Sequence, residues 1–102
     1  MSDAIRFALD GELTIYRAAE LREALLGALA AAPELPASPS STSMVIDLAD
    51  VTEIDSAGVQ LLFATQRAGA ALGVPVAFAD ASPAVHEVLG LFHLSAELGV
   101  SA

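Results

Sequence analysis

The sequence Asp55-Ser56-Ala57-Gly58 is the stretch of this chain best suited to chemistry. It follows an apolar segment at 44–48 and precedes a run of helix-forming residues, so we expect a strand, a tight turn and a helix that begins at Ser56. The start of a helix exposes unpaired backbone N–H groups and carries partial positive charge, which favours anions. A serine there, beside alanine and glycine, is open to accept a phosphoryl group or to be covered by a partner.

Two other roles for Ser56 compete with this interpretation. As an ordinary N-cap, its hydroxyl would accept an orphan N–H of the first helical turn, an interaction worth about 1 kcal/mol. As a hydrolase nucleophile, it would need an elbow of the form G-x-S-x-G. The chain has Ile54 where that motif has its first glycine, so the case for catalysis is weak.

Metal and nucleotide sites are not expected elsewhere in the chain. His86 and His93 lie seven residues apart with Gly90 between them, and a surface or packing role is favoured over metal ligation. A cluster of acids could in principle hold Mg²⁺, but its first member alternates with core residues of a strand and the others fit a solvated turn. The cluster is formed by Asp47, Asp50, Glu53 and Asp55. A phosphate-binding loop would need a lysine, and the chain has none. We therefore expect no cofactor, no metal and no enzyme activity.

Charge and composition limit the partners. Thirteen acidic side chains oppose four arginines, giving a formal charge of −9, which would repel nucleic acid and anionic membrane surfaces. A protein partner with a basic docking face fits better, although solubility alone would also explain the charge. Without cysteine, a signal-peptide pattern or a long apolar run, the sequence predicts a cytoplasmic protein with no membrane span.

The first part of the chain is expected to form a hairpin, a helix and a loop. Residues 5–9 and 12–16 read as strands, and Asp10-Gly11 between them is a strong hairpin turn. Residues 17–32 predict an amphipathic helix. Its apolar face is formed by Ala18, Leu21, Leu25, Ala28, Leu29 and Ala32. Residues 33–43 contain three prolines and four serines without periodicity, which indicates a flexible surface loop.

The second part alternates strands and helices. Residues 44–48 favour a strand covered on both faces, and 56–71 favour a helix with two apolar stripes, ended by Gly73. The stripes are Val59, Leu62, Phe63, Gln66 and Ala70, and Leu61, Ala64, Ala68 and Leu72. A strand at 74–79 follows, and Ser82-Pro83 is expected to cap and begin a last helix. The apolar face of that helix is formed by Val85, Val88, Leu89 and Phe92; residues 93–98 fit either a strand or a helical turn.

This order of elements predicts a single α/β domain over residues 1–102, with a mostly parallel central sheet, an N-terminal antiparallel hairpin and helices packed against the sheet. The segment from Ile46 to Leu62, I-D-L-A-D-V-T-E-I-D-S-A-G-V-Q-L-L, resembles the signature of STAS domains, the fold shared by anti-sigma factor antagonists and sulfate-transporter tails. The resemblance extends to residues 9–15, to the first helix and to residues 82–89, and so covers nearly the whole chain outside 33–43.

The resemblance implies a regulatory role for Ser56. In antagonists of this kind the serine at the D-S position is phosphorylated by a partner kinase. The unphosphorylated form docks on a serine kinase or anti-sigma factor of the histidine-kinase-like ATPase type, and phosphorylation releases it. Carried onto this chain, Ser56 is the phosphoacceptor, and Asp55 and Gly58 shape the turn. The partner-binding residues are expected to be Asp55, Ala57, Gly58, Val59 and Gln60.

Two variations of this role follow from the same resemblance. Residues 14–21 are similar to small STAS proteins associated with chemotaxis signalling, so a chemotaxis protein is another possible class of partner. Alternatively, the chain is a constitutive accessory subunit of a transport ATPase of the lipid-transport type. In that role, Ser56 would be a structural helix cap.

Overall fold

In the part of the chain that the structure describes, three parallel strands form the centre of the fold. The computed structural model describes residues 4–31 and 43–100, and its strands are β1 (Ala4–Leu13), β2 (Ser43–Ile54) and β3 (Val76–Ala79). They lie in the order β1-β2-β3, with β2 paired in parallel to both neighbours. The predicted α/β class with a parallel sheet is confirmed.

Within these described residues, four helices connect and follow the strands. They are α1 (Ala18–Ala31), α2 (Ser56–Ala71), α3 (Pro83–Leu91) and the single turn α4 (Ser95–Leu98). The bounds predicted for α2 match, and Ser82 caps α3 as expected, its hydroxyl accepting the Val85 N–H at 3.3 Å. The segment at 93–98, which the sequence left open between strand and helix, contains α4. The predicted loop at 33–43 lies outside the described residues except for Ser43, which begins β2.

The predicted N-terminal hairpin is wrong. β1 runs as one strand through Asp10 and Gly11 and stays parallel to β2, with irregularities in register on either side of that pair. Gly11 has φ of +68°, so the turn-forming dipeptide makes a bulge instead of a chain reversal. The Arg17 guanidinium fixes the bulge, because its Nη1 donates to the carbonyl oxygens of Asp10 at 2.6 Å and Glu12 at 3.1 Å.

The core lies on one face of the sheet. Strands in the order 1-2-3 with right-handed parallel crossovers place both connecting helices on the same face, and the burial pattern agrees. Met44, Ile46 and Leu48 are fully buried, whereas Val45 and Asp47 between them are half-exposed. The prediction that 44–48 is covered on both faces is therefore wrong, because buried and partly exposed residues alternate along this part of β2.

Three helices end in the same left-handed turn. After α2, the N–H groups of Gly73 and Val74 donate to the carbonyls of Ala70 and Gly69, with Gly73 at φ +74°. The same two hydrogen bonds follow α3 and α4, which identifies all three as Schellman motifs. Glycine holds the left-handed position after α2 and α4, but His93 holds it after α3, at φ +57°.

Candidate functional site

Asp55, not Ser56, caps α2. Asp55 has the extended conformation of an N-cap, and its Oδ1 accepts the Gly58 N–H at 3.0 Å. Ser56 is therefore the first residue of the helix. The alternative in which Ser56 is the structural cap is wrong, because the chain enters the helix one residue earlier than that role requires.

The second carboxylate oxygen of Asp55 reaches the loop between β1 and α1. Oδ2 accepts the Ile15 N–H at 3.0 Å, while the Asp55 N–H donates to the Leu13 carbonyl at 3.3 Å. The hydrogen bond from Ile15, followed by that from Gly58, holds the pKa of the Asp55 carboxyl below its usual value. Asp55 thus fixes the α2 N-terminus to the end of β1 through its backbone and to the following loop through its side chain.

Gly58 lets α2 approach β1 closely. It is buried, and a Cβ on this residue would overlap the carbonyl oxygen of Leu13 and lie 2.9 Å from Cγ1 of Ile54. Since one of these neighbours is backbone, the contact leaves no room for a side chain. Asp55 and Gly58 therefore lie on the inner side of the turn. The prediction that Gly58 binds a partner does not fit its burial against β1, and the same role for the partly exposed Asp55 stays a prediction.

Ser56 and Gln60 form an exposed ridge on the outer side of α2. They are one helical turn apart, and both are exposed. Among residues 4–31 and 43–100, no side-chain hydrogen bond engages the Ser56 hydroxyl. Ser56 is therefore open to a second protein in this structure.

A groove lies on each side of this ridge. We call the first the Phe92 groove; its volume is about 270 Å³, and it is lined by Ser56, Val59, Gln60, Phe63, Phe92 and Leu94. We call the second the Arg22 groove; its volume is about 250 Å³, and it is lined by Ala18, Ala19, Arg22, Ala57, Gln60, Leu61 and Ala64. The predicted contact residues Ala57 and Gln60 line these grooves and are at least partly exposed. Val59 lines the Phe92 groove but is only 6% exposed and belongs to the core.

Comparison with known proteins gives the family. The family model described as "Mlab, STAS domain" matches residues 2–99, nearly the entire chain. The chain belongs to the STAS domain family. None of the curated proteins compared matches its sequence.

Solved STAS structures share the fold at low sequence identity. The unphosphorylated anti-sigma factor antagonist SpoIIAA is 18% identical with a TM-score of 0.67, over 94% of this chain and 77% of that one. A sulfate transporter family protein from Wolinella succinogenes is 17% identical with a TM-score of 0.68, over 97% and 75%. The SulP transporter STAS domain from Vibrio cholerae is 20% identical with a TM-score of 0.65, over 94% and 68%. These similarities establish the fold. The role of this STAS domain has to be inferred from its own residues.

The sequence did not predict the exposed apolar residues around the α2 N-terminus. Phe92 was expected on the buried face of α3 but is 59% exposed, because α3 ends at Leu91 and the left-handed His93 turns the chain. Ile15 and Tyr16 were assigned to a returning strand, yet they follow the end of β1 and are 68% and 92% exposed. Ile15 is also the backbone partner of Asp55, so this pair lies beside the α2 N-terminus.

The remaining candidate groups do not assemble into a site. Within residues 4–31 and 43–100, no group of histidine and acidic side chains has a metal-binding arrangement, and no helix is long and apolar enough to cross a membrane. His86 lines a different cavity, together with Asp80, and neither histidine lines a groove beside Ser56. Among residues 4–31 and 43–100, no histidine is hydrogen-bonded to Ser56, as the hydrolase alternative would require.

Proposed function

We propose that this STAS domain is a protein-interaction module whose docking surface is switched by phosphorylation of Ser56. The observation that carries the proposal is the division of roles at the α2 N-terminus: Asp55 caps the helix, and Ser56 is exposed with its hydroxyl free of hydrogen bonds to described residues. A phosphoryl group can therefore be added to Ser56 without removing the hydrogen bonds that hold the turn.

The chemistry belongs to the partner. A serine kinase or anti-sigma factor of the histidine-kinase-like ATPase type would dock on the ridge and the two grooves. It would transfer the γ-phosphoryl group of ATP to Oγ of Ser56: the new O–P bond forms as the bond to the β,γ-bridging oxygen breaks, ADP leaves, and a base of the kinase takes the hydroxyl proton. A chemotaxis signalling protein is a second class of partner for the same surface. Both place the protein in the cytoplasm, where ATP is available.

The energetics support a switch at the interface with little effect on the fold. A phosphoserine adds a charge of about −1.5 to −2. The positive end of α2 stabilises that charge by roughly 0.3–1 kcal/mol. The fold is thus expected to survive the modification. At an interface with Ser56 near its centre, a penalty of about 2.8 kcal/mol would weaken binding by about a hundredfold.

The test is phosphorylation by the cognate kinase with Mg²⁺ and ATP, mapped by mass spectrometry. We expect one phosphate on Ser56 and none on the Ser56→Ala variant. Ser82 is the internal control, because it begins a helix as a buried cap and should stay unmodified. Equal phosphate incorporation in wild type and Ser56→Ala would rule out the assignment.

A second candidate is a constitutive accessory subunit of a transport ATPase of the lipid-transport type. Large exposed apolar side chains favour it, since permanent interfaces are more apolar than transient ones, and STAS domains also occur in the transporter structures with this fold. In this role Ser56 would be a covered contact residue, because Asp55 supplies the cap. A one-to-one complex with an ATPase that survives purification, with Ser56 unphosphorylated in cells, would favour this candidate over the switch.

A further inference from the structure

Arg22 is a cation beside the Ser56 ridge that has no ion pair within residues 4–31 and 43–100. The chain has only four arginines and no lysine. Arg6 and Arg17 each bridge two carboxylates. Neither of these two arginines lines a groove that touches the ridge, whereas Arg22 lines one.

The surroundings of Arg22 leave its guanidinium available. The positions three and four residues away on α1 are alanines and leucines, so the helix offers Arg22 no carboxylate. The Arg22 groove is also lined by Ala57, the residue after Ser56, and by Gln60, which lines the Phe92 groove together with Ser56. The small side chains of Ala18 and Ala57 keep the groove open, which lets a long arginine stem lie across it.

We propose that Arg22 receives the phosphate of Ser56, pairing with it across the Arg22 groove; this rests on the proposed phosphorylation of Ser56. A phosphoserine presents three strong acceptor oxygens, and the planar guanidinium binds two of them with parallel hydrogen bonds. Such a pair covers Ala57 and the inner side of Gln60. Phosphorylation would then act twice, by adding charge at the ridge and by closing one of the two grooves that the partner uses.

The test measures the second pKa of the phosphate by ³¹P NMR. Phosphoserine is incorporated at position 56 by an expanded genetic code in the full chain, and the phosphorus shift is followed from pH 4 to 8. A nearby guanidinium stabilises the dianion, so Arg22→Gln should raise the second pKa, ordinarily about 6, by roughly 0.5.

Arg67→Gln is the matched control. Arg67 is also exposed and has no carboxylate three or four residues away, but it lies eleven residues beyond Ser56 on α2. That separation is about 16 Å along the helix, longer than the Debye length of about 8 Å in physiological salt. The phosphate pKa should therefore change little in Arg67→Gln. Equal pKa values in the two variants would overturn the pairing.

Because the phosphoserine is installed without a kinase, failure of this pairing is distinguishable from failure of the proposed function. A Ser56 that the kinase phosphorylates, with a phosphate pKa indifferent to Arg22, overturns the pairing alone. A phosphate pKa that responds to Arg22, in a protein that no kinase modifies on Ser56, supports the pairing and removes the proposed switch. The thermal midpoints of the unphosphorylated variants should stay close to that of wild type and so confirm that both are folded.

Discussion

Because Gly58 lies in close contact with β1, we expect a Gly58→Ala substitution to destabilise the protein, although helix propensity alone would predict the opposite. Replacing glycine by alanine inside a helix normally stabilises it by about 0.5–1 kcal/mol. At Gly58 the new methyl group would overlap the Leu13 carbonyl and press on Ile54. Overpacking of this kind typically costs about 1–3 kcal/mol, and backbone cannot rotate away as a flexible side chain can.

We therefore expect Gly58→Ala to destabilise the protein by about 1–2 kcal/mol after the gain in propensity is subtracted. For a domain of this size that corresponds to a thermal midpoint roughly 5–15 °C lower. The control is Gly27→Ala. Gly27 lies inside α1 with nothing within 4 Å of its would-be Cβ, so its midpoint should rise by about 2–8 °C.

The assay is thermal unfolding followed by circular dichroism, with urea unfolding as an independent measure of the free energy. A rise in both variants would refute the reasoning, because it would mean that α2 does not lie against the β1 carbonyl. A fall in both would mean that helix propensity does not decide the effect at Gly27. Only the opposite signs support the packing that positions Ser56.

Three further predictions concern Asp55, His93 and Phe92. The folded-state pKa of Asp55 is lowered, so its stabilising effect should be present above about pH 4 and lost as the pH falls through the folded value. In urea unfolding, the difference in free energy of unfolding between wild type and Asp55→Asn should shrink over that acidic range; a constant difference would contradict the hydrogen bonding. His93→Gly should raise the thermal midpoint by roughly 4–8 °C, since a non-glycine residue in the left-handed conformation costs about 1 kcal/mol; an unchanged or lower midpoint would contradict that conformation. Phe92→Ser should weaken partner binding at least tenfold, measured by calorimetry. The thermal midpoint should move by only a few degrees, because the Phe92 side chain is largely exposed. Undiminished affinity would show that the Phe92 groove is not part of the docking surface.

Much of the fold could be predicted from local pattern. The helix at 56–71 and the Ser82-Pro83 start of α3 were both predicted from residues a few positions apart, because apolar periodicity and capping are local effects. The signature around Ser56 gave the family in the same way. Local pattern failed at Asp10-Gly11, where a turn-forming pair becomes a bulge in a continuous strand. The bulge is held by a hydrogen bond from Arg17 and by parallel pairing with β2, and pairing with a distant strand cannot be read from neighbouring residues.

The sequence by itself determined that this is an acidic α/β STAS domain with a serine at the start of its second helix. Only the tertiary structure decided that Asp55 and not Ser56 caps that helix, since the choice depends on bonds to Leu13 and Ile15, forty or more residues away. It also decided that Phe92 faces solvent and that Arg22 lies next to the Ser56 ridge. These relations arise where separate elements meet, and spacing along one helix carries no information about the neighbour across a groove.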